Sequence, residues 1–293
     1  MTSQYQYDLL VVGGGPGGYV AAIRAAQLGL KTAVIEKDPY LGGTCLHRGC
    51  IPTKALLHYT ESIERLAHCA DFGLNFGELK GIDMSKMHGS KNKVVKRMSL
   101  GIDGLMKKNG IDVHTGHGKL VGERTVEVGG EKLTAQNVIL ASGSKPAVLP
   151  FLKPDGKRVF TSDEILKLES IPKSMVVLGA GAVGLEFACI YKSLGTEVEV
   201  VEMAERPLPL EDADISKEVT RIYKKRGIPI HCSVQLESAD IERNFVRLRA
   251  RDLKKENTLE YTPETVLSAV GRVPVLDDLG LELFNLEREG RYL

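Results

Sequence analysis

Residues 7–37 read YDLLVVGGGPGGYVAAIRAAQLGLKTAVIEK, and the order of residue types in this stretch decides the fold. The apolar run from Tyr7 to Val12 has the length and branching of a strand. Gly13, Gly15 and Gly18 follow as G-x-G-x-x-G, an amphipathic helix ends near Leu28 and Gly29, and a second strand reaches Glu36. Each position has a mechanical reason. Gly13 permits a tight turn, Gly15 lets a pyrophosphate approach the backbone, Gly18 lets helix and strand pack closely, and the helix N-terminus offers unpaired N–H groups to an anion. Glu36 then stands where a carboxylate holds the hydroxyls of an adenosine ribose.

One such motif in a glycine-rich chain is equally well read as an ordinary turn. Here it recurs. Residues 175–203, MVVLGAGAVGLEFACIYKSLGTEVEVVEM, repeat the first stretch at a constant offset of 166, matching Gly13/Gly179, Gly15/Gly181, Gly18/Gly184, Ala22/Ala188, Leu28/Leu194, Gly29/Gly195 and Glu36/Glu202. Chance turns do not keep a common register from first glycine to terminal acid, so two dinucleotide-binding βαβ units are predicted. At Glu202 a carboxylate accepts from a ribose 2′-OH and repels a 2′-phosphate, which favours NAD over NADP; Arg206, four residues on, reads as a solvated loop charge.

Working outward, 293 residues hold about two domains. With 39 Lys and Arg against 38 Asp and Glu, and 43% hydrophobic residues, the chain is neither a disordered segment nor built around a strongly charged partner. Nucleic-acid binding is not expected. Five cysteines, at 45, 50, 69, 189 and 232, are too few and uneven for a secreted disulfide scaffold, which points to a reducing, cytoplasmic setting. The uncharged stretch from Leu9 to Ile23 is 15 residues long and broken by glycines. It falls short of the ~18 apolar residues of a membrane helix, and no basic region precedes it as in a signal peptide.

Directly after the first βαβ unit stands GGTCLHRGCIPTK, residues 42–54. Cys45 and Cys50 lie five positions apart, and on a regular helix such residues point about 140° away from each other, so a bond between them needs a distorted turn. Gly42, Gly43 and Gly49 loosen the backbone, and Pro52 predicts a regular helix starting nearby. Cys50 then sits at a helix N-terminus with Lys54 one turn on, a setting that lowers a thiol pKa. Buried small hydrophobes are the alternative for both cysteines, and the reading taken for Cys69, Cys189 and Cys232. A zinc site is disfavoured because no second ligand pair stands at the right spacing.

The sequence resembles the pyridine nucleotide-disulfide oxidoreductases. The likeness rests on GGTCLHRGCIPTK between two nucleotide fingerprints, and on GHGK (116–119), ASGSKP (141–146) and AVGRVP (269–274), which look like that family's strand-end turns. It implies an α/β fold of two Rossmann-like FAD- and NAD(P)-binding domains with parallel sheets, each with a small antiparallel meander. FAD would be contacted by Gly13, Gly15, Pro16, Gly17, Gly18, Glu36, Lys37, Gly43, Thr44, Cys45, Lys54, Gly118, Ser142, Gly143 and Ser144. NAD would be contacted by Gly179, Gly181, Ala182, Val183, Gly184, Glu186, Glu202, Val234 and Gly271. The catalytic residues implied are Cys45 as the outer interchange thiol, Cys50 as the thiol nearer the flavin, and Lys54 and Glu186 as an ion pair beside it. A surface lysine and a helix N-terminal acid are the plainer reading of the last two. No metal is implied. The activity implied is oxidation of dihydrolipoyl groups on a carrier protein by NAD+. Alternatives are an NAD(P)H-dependent reductase of glutathione-like disulfides or mercuric ion, and an inactive nucleotide-binding fragment.

Within the family pattern His47 and Arg48 stand where Asn-Val is commoner, and Arg48 is placed to stabilise a nearby thiolate. The resemblance also implies a further Gly-Asp segment and a dimer-forming domain carrying a His–Glu pair, neither matched by this sequence, so weak FAD retention and impaired turnover are expected. The expected organisation is an FAD-type domain over 1–147, an NAD-type domain over 148–275 and the start of a return segment over 276–293. A long helix is expected over 84–108, with Val94, Val95, Met98, Ile102 and Leu105 on its apolar face. Met84, Met87, Met98 and Met106 are read as core filler, and Lys91, Lys93, Lys96 and Arg97 as a solvated face. Residues 234–261 alternate as a three-stranded meander would.

Overall fold

The computed structural model describes residues 4–74, 77 and 80–293. The chain divides into two compact units: unit 1 takes residues up to 52, 92–145 and 273–293, and unit 2 takes 53–91 and 146–272.

Unit 1 opens with strand β1 (Tyr7–Val12), helix α1 (Pro16–Gln27), β2 (Thr32–Glu36), the short helix α2 (Gly43–Arg48) and the head of α3 (Cys50–Ala67). It continues with most of α4 (Met84–Lys108), β3 (Asp112–Thr115), β4 (Gly118–Gly122), β5 (Thr125–Val128) and β6 (Glu131–Leu140), and the chain leaves it through β7 (Ser144–Pro146). The sheet order is β3-β2-β1-β6-β5-β4, parallel from β3 to β6 and antiparallel through the meander β6-β5-β4. Both faces of β1 are covered from Leu9 onward, which is why residues 9–12 form a continuous apolar run rather than an alternation. Leu9 and Val11 pack with Ala22, Ala25, Ile102 and Met106 of α1 and α4, while Leu10 and Val12 pack with Leu120, Val126 and Leu133 of the meander.

Unit 2 contains β8 (Val159–Phe160), α5 (Ser162–Ile165), β9 (Ser174–Leu178), α6 (Ala182–Ser193), β10 (Glu197–Val201), α7 (Ala213–Lys225) and β11 (Ile230–His231). The meander strands β12 (Val234–Ile241), β13 (Val246–Asp252) and β14 (Thr258–Tyr261) follow, then β15 (Thr265–Ser268), and β16 (Arg272–Pro274) carries the chain back. Its parallel sheet has the order β11-β10-β9-β15-β8, and β12-β13-β14 form a separate antiparallel sheet. Helices cover one face through Leu185, Phe187 and Ile190, and the meander covers the other through Val246, Leu248 and Ala250. Burying each large apolar side chain in these layers contributes about 1.5–3 kcal/mol.

The two Rossmann-like sheets with their meanders match the expected fold class. Unit boundaries run differently from the contiguous ranges read from sequence, for packing reasons. Leu56 and Met84 join the core built around Phe187, which draws 53–91 into unit 2. Leu279 and Leu281 join the core around Leu10, and Leu120 N–H donates to the Leu279 carbonyl at 2.9 Å, which draws the last segment into unit 1.

Helix α4 has the expected span, and its buried face is the expected one in part: Ile102 is buried and Val95 packs against the same core. Met84, Ile102 and Met106 are buried, whereas Met98 and Leu105 are 43% and 42% exposed, so neither of these two fills the core. Lys91 lies on the buried stripe rather than the solvated one: it is 6% exposed, and its Nζ donates to the Leu166 carbonyl at 2.6 Å. Burial, with the neighbouring Lys167 charge second, holds its ammonium below the usual lysine range. Among the described residues no helix is long and apolar enough to cross a membrane.

Candidate nucleotide cradles and the cysteine pair

In each unit one parallel strand, β1 or β9, is followed by a glycine that closes the turn. Gly13 has φ +107° and Gly179 has φ +101°, and a Cβ there would lie 2.2 Å from the Ala141 carbonyl oxygen or 2.5 Å from that of Ala269. Gly18 and Gly184 sit under the same turns, where a Cβ would come within 1.7 and 2.0 Å of the Gly13 and Gly179 oxygens. The middle glycine differs in kind. A Cβ on Gly181 would meet nothing within 4 Å, and one on Gly15 only Gly43 Cα at 3.7 Å. These middle positions leave space above the N-termini of α1 and α6, whose N-caps Gly15 and Gly181 make no side-chain cap. Exposed N–H groups beside open space at a helix N-terminus fit a diphosphate, so the residues present suit a dinucleotide at both turns.

Glu36, expected to hold a ribose, ends β2, and Glu202, its counterpart, follows β10. The structure adds a second role that spacing does not reveal. Glu36 Oε2 accepts from Gly14 N–H at 2.7 Å and its Oε1 from Asp38 N–H at 2.8 Å. Glu202 repeats this with Ala180 and Ala204, both at 2.7 Å. The copy extends to the backbone: Gly42 N–H donates to the Gly14 carbonyl at 2.8 Å, and Leu208 N–H to the Ala180 carbonyl at 3.0 Å. All these pairs keep the 166-residue offset. Each carboxylate oxygen retains a lone pair for a hydroxyl ligand.

Past this shared frame the copies diverge. In unit 1 the chain enters α2, which carries half-buried Cys45, breaks at Gly49 and restarts in α3 with exposed Cys50. Helix α3 begins two residues before Pro52, which sits in its first turn. His47 has a ring nitrogen 2.8 Å from the Leu41 carbonyl. Arg48 Nη2 donates to Asp38 Oδ2 at 2.7 Å, so its charge is directed at a carboxylate. In unit 2 the loop after Glu202 is tied back by Arg206, which donates to Ser216 Oγ and to the Pro209 carbonyl, both at 3.0 Å. Arg206 is therefore a loop anchor rather than a solvated charge, and it is already engaged at a place where a 2′-phosphate reader would need to be available.

Within unit 2, Lys54 of α3 and Glu186 of α6 form an ion pair. A polar network further along the same helices was not read from sequence: Glu64 of α3 accepts from Ser193 of α6 and from Arg226 after α7. Cys189 is buried, its thiol pushed up by burial, and donates to Tyr223 Oη, which in turn donates to the Leu185 carbonyl.

The remaining expected contacts fall as follows. Pro16 and Gly17 open α1, Thr44 lies in α2, and Ala182 and Val183 open α6. Lys37 is exposed at the end of β2. Gly118 is buried, and a Cβ there would press on Ile35 and Val12, so its requirement is one of packing. Ser142 Oγ donates to the Val275 carbonyl at 2.7 Å, and Val275 N–H to the Gly143 carbonyl at 3.0 Å, so this turn holds the returning segment. Ser144 begins β7. Val234 is buried and its N–H donates to the Glu202 carbonyl, which leaves its side chain in the core. Gly271 has φ +113° with open space around it.

Fold and turn geometry together define a two-cradle, dinucleotide-binding α/β protein. The sequence matches the model of the pyridine nucleotide-disulphide oxidoreductases over residues 7–292, and the chain belongs to that family. It is 41% identical over 292 residues to a dihydrolipoyl dehydrogenase of Bacillus subtilis, a match covering 94% of this chain and 61% of that protein. It is 39% identical to the mitochondrial dihydrolipoyl dehydrogenase of Schizosaccharomyces pombe, covering 97% of this chain and 57% of the relative. A leghemoglobin reductase of Glycine max is also 39% identical, with 98% and 56% covered. Among solved structures, the HOCl-induced flavoprotein disulfide reductase RclA of Escherichia coli superposes with a TM-score of 0.80 at 25% identity, covering 97% of this chain and 61% of that one. The chain thus spans less than two thirds of the length of these relatives.

Proposed function

We propose that unit 1 binds FAD and unit 2 binds NAD, and that the protein works as a dihydrolipoyl dehydrogenase, joining a dithiol on a lipoyl-bearing carrier protein to NAD+. The observation that carries this reading is the duplicated cradle, one copy of which runs directly into the Cys45–Cys50 pair. Bound FAD supplies the two-electron relay between thiols and nicotinamide. The chain's own residues do the rest. Gly15 and Gly181 leave room for each pyrophosphate, and Glu36 and Glu202 accept from each ribose while holding their turns. With the pair oxidised, a substrate thiolate attacks the sulfur of Cys45; a mixed disulfide forms, the Cys45–Cys50 bond breaks, and Cys50 leaves as the thiolate. Attack by the second substrate thiol then closes the substrate disulfide and frees Cys45. Lys54, held by Glu186, keeps a fixed positive charge one turn from Cys50 on α3. A sparse cysteine set working between dithiol and disulfide suits the cytoplasm.

The visible spectrum of the protein mixed with FAD, recorded before and after NADH, tests this reading. Binding of the added flavin, with bleaching by NADH and far less by NADPH, supports it. Absence of flavin binding, or equal bleaching by NADPH, overturns it.

A further inference from the structure

Two hydrogen-bonded arms lead from Glu36 to the cysteine segment, all within unit 1. One runs through the glycine turn: Glu36 Oε2 accepts from Gly14 N–H, the Gly14 carbonyl from Gly42 N–H, and the Gly42 carbonyl from the N–H of Leu46, the residue after Cys45, at 3.3 Å. The other runs through the strand end: Glu36 Oε1 accepts from Asp38 N–H, and Asp38 Oδ2 accepts from Arg48, two residues before Cys50. Slack between the arms is small. Gly42 and Gly43 both have positive φ, and a Cβ on Gly43 would lie 2.6 Å from Gly15 Cα, so α2 sits directly against the phosphate turn. The second cradle serves as an internal control. It repeats the Glu202 bonds, but Ala204 stands at the position of Asp38 and Asp214 at that of Arg48, so the ion-paired arm is absent where no cysteine pair follows.

We propose that Arg48 and Asp38 are positioning residues for the cysteine pair, fastening α2 and the head of α3 to the first cradle so that a nucleotide bound at Glu36 governs the reactivity of Cys45 and Cys50. This rests on the reading that the first cradle takes an adenine nucleotide. Ribose hydroxyls add to the carboxylate from which both arms start, so ordering at the ribose is passed to α2 through bonds already formed.

The test uses the full chain, AMP as the ligand and N-ethylmaleimide as the thiol probe, with labelling of each cysteine followed by peptide mass spectrometry and Cys69 as reference. AMP affinity is measured separately by calorimetry. Saturating AMP should slow labelling of Cys50 by at least about fivefold, the lower end of typical site-to-site coupling. In Arg48→Met, AMP should bind within about twofold of the parent, a difference below the scale of one hydrogen bond, yet protection should disappear; Arg48→Lys, which keeps the charge, should restore part of it. AMP binding without protection of Cys50 overturns the proposal and leaves the nucleotide reading standing. Equal protection in the parent and Arg48→Met overturns it too, because AMP then merely shields the thiol. Failure of both AMP and FAD to bind overturns the nucleotide reading and the proposal with it.

Discussion

A carboxamide has one acceptor oxygen where a carboxylate has two, so Glu36→Gln turns an amide donor toward the backbone N–H of Gly14 or Asp38. Glu36 is 8% exposed, and leaving a buried donor unpaired costs about 1–3 kcal/mol. The variant should therefore unfold at lower denaturant concentration in the absence of any nucleotide. An unchanged midpoint would show that the acid serves the ribose alone. At this scale the sequence was informative wherever a residue type has a single steric reason. Gly13, Gly18 and their copies were legible because a Cβ has nowhere to go. The Asp38–Arg48 pair was not, because it depends on how the chain folds back after β2, and no local pattern encodes that path.

Among the elements, α4 shows how far periodicity reaches. Its span from Met84 to Lys108 follows from an uninterrupted helical pattern, but the rotational phase is set by what packs against it. Lysine at position 91 was assigned to solvent on residue type, whereas tertiary packing places it on the stripe of Met84, Ile102 and Met106. This has a pH signature. Lys91 in the folded state releases its proton below the ordinary value of 10.5, so between those two values the unfolded chain holds more protons and stability rises with pH. As the pH is raised toward 10.5, guanidine midpoints should climb for the parent relative to Lys91→Met, since the slope follows the difference in bound protons. Parallel profiles for the two proteins would show that the ammonium carries no burial penalty. The helices α3 and α6 gave a mixed outcome: the Lys54–Glu186 pair came from the resemblance, and the Glu64, Ser193 and Arg226 contacts came only from the structure.

For the whole molecule, the duplicated cradles mean that each can be disabled alone. Gly181→Asp places an anion where a Cβ meets nothing within 4 Å, so the variant should fold normally and repel a pyrophosphate. With FAD added, flavin should still bind while bleaching by NADH is lost. Loss of both together would show that the two cradles are not separate sites. Fold class was readable from the repeat itself, because two glycine turns in register require two βαβ units. The course of the chain between units was not: α3 and α4 start in one core and finish in the other, and apolar residues such as Leu56 and Leu279 carry no label for the core they will join.

The hydrogen-bond frame shared by the two copies stops at residue 42 in one and 208 in the other, and two positions later in the second copy Leu210 stands 97% exposed. That point is a seam in the architecture: the hydrogen bonds that the two copies share lie upstream of it, and the two paths part downstream. One copy continues into a pair of sulfurs. The other continues in a loop that Arg206 ties to Pro209 and Ser216, where a short flexible peptide spliced in after the exposed Leu210 should ride along without loosening the turn upstream, as an unchanged affinity for ADP-ribose would reveal.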